Sequence, residues 1–171
     1  MTPATRWLPI VLAWAALVVG GSVPVSAQSS QAPLTFRGLR AAMTRAGADS
    51  VLVRHGTSLR CRPTREPRIE ACSAQATLDG QVATLTVSLV DGLVGIALVS
   101  ARLPAEQVAD WHATLVNAYG EVDPQRRPGQ ESFQWIRARQ MLRLTVRREA
   151  GGLVASVSLL DGRLLDSLPS P

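Results

Sequence analysis

One pattern occurs twice in this chain and limits what it can fold into. Ser73 to Val87 and Ser132 to Val146 align without a gap, sharing Ser73/Ser132, Gln75/Gln134, Gln81/Gln140 and the triplets Leu85-Thr86-Val87 and Leu144-Thr145-Val146. One inserted residue restores the register at Gly92-Leu93-Val94 and Gly152-Leu153-Val154, and the copies end at Arg102-Leu103 and Arg163-Leu164. Apolar residues fall on alternate positions around a glycine-containing turn, the period of a strand with one buried face. A repeat of this kind implies two supersecondary units sharing one core, because neither covers its own sheet face.

The remaining segments fit around the repeats in a regular order. Thr35 is placed to cap a helix running to about Ala46, with Phe36, Leu39, Met43 and Ala46 on one face and Gly47 at its end. Ala48 to Arg68 is predicted to be irregular: it contains the apolar run Val51-Leu52-Val53, and Pro63 and Pro67 oppose a continuous strand or helix. Alternation from Ile69 predicts a strand, a turn at Asp79-Gly80, a second strand with Ala83, Leu85, Val87 and Leu89 inward, a turn at Asp91-Gly92, and a central strand from Leu93 to Ser100 that is apolar on both faces. Pro104 then opens a helix to about Tyr119, with Val108, Trp111, Leu115 and Tyr119 as its expected buried stripe and Gly120 beyond. A second irregular loop, Glu121 to Glu131, leads to strands at Ser132–Ala138, Met141–Arg147 and Leu153–Leu160 and a frayed tail at Pro169–Pro171. The expected fold is α+β: two tandem helix-loop-three-strand repeats, residues 28–103 and 104–171, forming antiparallel meander sheets packed against helices.

The first 27 residues read as an address. Arg6 precedes a short apolar run, Trp7 to Gly21, and Val25 and Ala27 suit signal peptidase, so a signal peptide cleaved after Ala27 is expected. The run falls short of the ~20 residues of a spanning helix, and no later segment is long and apolar enough to cross a membrane. Export places the protein in the periplasm or outside the cell, where Cys61 and Cys72 are expected to form a disulfide. The spacing of these cysteines does not suit a metal site, and no cofactor is expected. All 18 basic residues are arginine, against 13 acidic ones. The excess favours an anionic surface or an acidic envelope protein as partner. Nucleic acid is not expected, since no aromatic residues interleave with the arginines.

Two groups of residues carry possible chemistry. Leu52-Val53-Arg54-His55-Gly56-Thr57 resembles the signature of the histidine phosphatase and phosphoglycerate mutase superfamily, an apolar strand ending in Arg-His-Gly. The resemblance implies a phosphohydrolase with His55 as nucleophile and Arg54 as phosphate ligand. That family also needs a second histidine, and His112, inside the amphipathic helix, is the only other one here. The second group is arginine-rich: Arg60, Arg62 and Arg65 in the first loop, Arg126 and Arg127 in the second, and Arg143 and Arg147 on outward strand positions, with Trp135 as an aromatic anchor if exposed. If both loops lie on one side, they form one positive surface. The order of elements is similar to small envelope modules such as the β-lactamase inhibitor proteins and the small outer-membrane assembly lipoproteins, though without a lipidation cysteine. No convergent catalytic set is apparent, so the leading expectation is a non-catalytic exported binding protein.

Overall fold

The computed structural model describes residues 32–168. The expected signal peptide and the Pro169–Pro171 tail lie outside the described residues. The fold is α+β, with three helices, an eight-stranded antiparallel sheet and a two-stranded hairpin.

The hairpin comes first, β1 (Thr35–Phe36) and β2 (Leu39–Arg40), followed by α1 (Arg45–Val53). The helix expected at Thr35–Ala46 is therefore displaced toward the C-terminus. Arg37 and Gly38 have φ of 51° and 85°, values of a tight hairpin turn, and Ala42 at φ 58° also leaves the helical region. Thr44 rather than Thr35 is the cap: its Oγ1 accepts from the Gly47 N–H at 3.1 Å, so Gly47 lies in the first turn instead of at the end. Phe36, Leu39 and Met43 are buried as expected, but from a hairpin and its connection rather than from one helical face.

The large sheet contains β3 (Arg60–Pro63), β4 (Ile69–Leu78), β5 (Gln81–Val90), β6 (Leu93–Leu103), β7 (Gln125–Arg127), β8 (Gln130–Arg137), β9 (Gln140–Glu149) and β10 (Gly152–Asp161). Its order is β3-β4-β5-β6-β10-β9-β8-β7. The chain builds from one edge to the centre, crosses through α2 (Ala105–Tyr119), and builds from the other edge back to the centre. The halves meet along β6 and β10, where Leu103 faces Leu153 and Ile96 faces Leu160. β6 is central, as its two-sided apolarity implied. Each half contributes one more strand to the large sheet than expected. β3 and β7 form inside the segments read as irregular, and both are outermost, where a proline such as Pro63 does not interrupt a ladder on both sides.

One sheet face is covered and one is open. Cys72, Ala74, Leu85, Val87, Ala97, Val99, Val157, Leu142 and Leu144 face the helices and are buried. α2 contributes Val108, Trp111 and Leu115 to this core, with Trp111 edge-on to Phe36 at 4.9 Å between centroids. Trp111 Nε1–H also donates to the Asp79 carboxylate at 3.0 Å, fixing the helix to the β4–β5 turn. Tyr119, at the end of α2, donates to the Thr35 carbonyl at 2.8 Å and accepts from the Thr35 N–H at 2.7 Å, which ties down the N-terminal hairpin. A last short helix, α3 (Gly162–Asp166), is capped by Asp161, whose Oδ1 accepts from Arg163 N at 3.0 Å. Leu165 of α3 approaches Gly95, where an added Cβ would sit 2.9 Å from Val90 Cγ2.

Candidate binding surface

The open face is set by the register of the strands. Every second residue of β4–β6 and β8–β10 turns away from the core, and these residues are mostly Ser, Thr, Gln and Arg. Directly opposed pairs line up into rows running across the sheet. One row reads Gln75, Thr84, Ser100, Ser156, Thr145, Ser132, Gln125, a continuous polar band over seven strands. At its centre the Ser100 and Ser156 hydroxyls lie 3.0 Å apart. The next row reads Arg60, Ser73, Thr86, Leu98, Ser158, Arg143, Gln134, with an arginine at or near each end.

Arg60 and Arg62 reach this face because Cys61 between them points to the core side, where it is bonded to Cys72 (S–S 2.01 Å). Both thiols are consumed in that bond, so the nearby Glu70 carboxylate, which accepts from Arg45 at 3.2 Å, has no thiolate partner for a metal. Arg143 and Arg147 lie on outward positions of β9, opposite Gln134 and Gln130. Gln134 Oε1 accepts from Arg143 Nε at 3.0 Å, which orients the guanidinium along the surface. Arg102, missed in the sequence reading, lies on the same face of β6 and pairs with Glu149 at 3.4 Å. Its outward place could have been read from the alternation that buries Ala101 and Leu103. Among the described strand residues of this face, Glu149 is the one carboxylate against Arg60, Arg62, Arg102, Arg127, Arg143 and Arg147. Arg65 is exposed in the β3–β4 turn.

The two arginine-rich loops do not join into one surface. Arg60 and Arg62 are on β3 and Arg126 and Arg127 on β7, the opposite edges of the sheet. At ~4.8 Å per strand, the seven intervals separate these edges by about 34 Å. Arg126 also pairs with Glu131 at 2.8 Å, and both belong to the helix side of the sheet.

Trp135 is not an exposed anchor. It is 3% exposed, sits opposite Leu142 on the core face, and donates its Nε1–H to the Gly120 carbonyl at 2.8 Å. That bond satisfies both the indole and the end of α2, and Arg137 donates to the adjacent Tyr119 carbonyl at 3.2 Å. The large exposed apolar side chains of the open face are Val82, Leu98 and Ile136.

Arg54 and His55 follow the last turn of α1. The segment that the phosphatase resemblance requires to be a strand before them is helical: Thr44 caps α1, and Val51 and Leu52 are buried on its inner face. His55 N donates to the Leu52 carbonyl at 2.8 Å. His55 borders a small apolar cavity with Val51, Leu52 and Ala76, whereas His112 borders a different cavity beyond α2. The two histidines thus do not share a pocket among the described residues. At the β5–β6 turn Arg68, hydrogen-bonded to Asp91 through Nε at 3.1 Å, lowers that carboxyl from its ordinary value, first through the hydrogen bond and then through its charge.

Comparison with protein-family models, curated proteins and solved structures returned no match.

Proposed function

We propose that this is an exported, non-catalytic binding protein that engages an acidic envelope or extracellular partner through the open face of its sheet. The observation that carries the reading is the composition of that face: six arginines among polar residues, with Glu149 as their one carboxylate neighbour on the described strands. A broad face rimmed by guanidiniums attracts an acidic partner over several ångströms and offers forked donors on contact. Export is supported by the leader sequence and by the Cys61–Cys72 bond, which suits an oxidising compartment. The likeness between Ser73–Val87 and Ser132–Val146, together with a helix followed by four strands of the large sheet in each half, supports an origin by tandem duplication, with the open face assembled from both copies.

The test is affinity capture from the native envelope with wild-type protein and a variant carrying Arg60→Glu, Arg143→Glu and Arg147→Glu. These residues are off the core, so the variant should melt normally and lose the captured partner. Raising the salt should weaken wild-type capture as well, because the contacts are solvent-exposed. A normally folded variant that still captures every wild-type partner would sink the reading.

A further inference from the structure

We propose that a second site, on the helix-covered side of the sheet, binds a small amphipathic anion: an apolar chain ending in a carboxylate or phosphate head. The site is a cavity of about 500 Å³ between the first half of α2 and the β7–β9 end of the sheet. That volume lies within the ~300–1,000 Å³ of small-molecule sites. Its floor is sheet core left uncovered: Phe133, Val146 and Leu153 face Val108 and Ala109 of α2 across open space. Its rim is cationic, with Arg126, Arg127 and Arg148 against the single carboxylate of Glu131. Glu131 is engaged by Arg126 at 2.8 Å, while the side chains of Arg127 and Arg148 have no hydrogen-bond partner among the described residues.

One further group borders the cavity and can report on it. The His112 ring lies on Phe133 with centroids 4.0 Å apart, and its Nε2 is buried without a hydrogen-bond partner among the described residues. That nitrogen is closed off from solvent, so the His112 ring, which borders the cavity, reports on its occupancy rather than contacting the ligand through Nε2. A purely ionic ligand would occupy the rim and leave the apolar floor wet. An uncharged apolar ligand would leave the two free guanidiniums unused. A molecule with an apolar body and one anionic head matches both parts. The apolar floor and Arg148 lie on the side of the sheet opposite the open face, so this site does not depend on the partner-binding reading; Arg127, on the edge strand β7, takes an open-face register position and borders both.

The experiment is calorimetric titration of the purified protein with decanoate, decyl phosphate, decanol and acetate, all below their aggregation limits, alongside the imidazole NMR signals of His112 and His55. Saturable binding of decanoate or decyl phosphate is expected, with decanol and acetate weaker by about tenfold or more, the scale of one charge-assisted contact. The His112 signal should move and the His55 signal should not. The tighter of the two anions distinguishes a fatty-acid carboxylate from a lipid phosphate head as the source. Arg127→Ala with Arg148→Ala, both at exposed positions, should weaken binding by about tenfold or more. Ala109→Phe, from an exposed helix position, should block the cavity and abolish binding. Equal binding of decanol and decanoate, no saturable binding of either anion, or binding unchanged in both variants would overturn the proposal.

Discussion

In the first half of the sheet, Cys72, Ala74, Val87 and Leu89 are sealed in the core, whereas in the matching places of the second half Glu131, Phe133, Val146 and Arg148 are half-buried or exposed. The backbone pairing is the same, Cys72 with Val87 and Glu131 with Val146. The difference lies in what comes before each set of strands. Ahead of β3 the chain supplies a hairpin, a bridge from Thr44 to Leu93 and α1, with Ala42 N donating to Val94 O at 2.7 Å and Arg45 N to Gly92 O at 3.0 Å. Ahead of β7 it supplies α2, which reaches Phe133 through His112 and leaves the rest open. Two units of similar topology thus divide the work: one is closed by local chain, and the other keeps a cavity at the same place.

Substitutions can break or sharpen this contrast. The largest effect is expected at the sealed position: Leu89→Ala should cost about 3 kcal/mol in chemical denaturation, while Arg148→Ala at the open counterpart should change stability by less than about 0.5 kcal/mol. Equal costs would show that the second half is as closely packed as the first. Next, replacing Cys61 and Cys72 by Ala should cost about 2–3 kcal/mol, since the bond closes a short loop at one edge and β7 has no counterpart. A smaller gain is expected in the second half. The β4–β5 turn uses Asp79-Gly80 at φ of 51° and 79°, but the β8–β9 turn imposes φ of 45° and 67° on Ala138-Arg139. Ala138→Asn with Arg139→Gly should stabilise by about 1 kcal/mol, measured as a rise in Tm. The smallest effect concerns the first half's Arg68–Asp91 pair. Because the Asp91 carboxyl is held below its unfolded value, its stabilising contribution is present above the unfolded pKa and lost as pH falls through the folded one. The stability difference between wild type and Asp91→Asn should therefore be present at neutral pH and shrink in acid.

Strands β4–β6 and β8–β10 and helix α2 were legible because alternation, Asp-Gly turns and a Pro-to-Gly span each report a local preference that the fold keeps. The first helix was misplaced because Phe36, Leu39 and Met43 satisfy a helical period, yet Arg37-Gly38 turns the chain back after Phe36. The edge strands were missed because proline opposes strand only where both sides need a ladder. Arg143 and Arg147 could be placed outward by parity alone, and the same parity, applied to the Ser132–Val146 alignment, puts Trp135 beside Leu142 in the core. The separation of the two arginine loops was not legible, since it depends on which strands meet at the centre, a tertiary choice that no local pattern encodes.

An open sheet has two free borders, and each invites a stray strand from a neighbouring molecule. Here both borders are brief: four residues in β3, ending at Pro63, and three in β7, followed by Pro128. Each also carries arginines that repel a like copy. The sheet therefore leaves little margin along which copies of the chain could polymerise edge to edge.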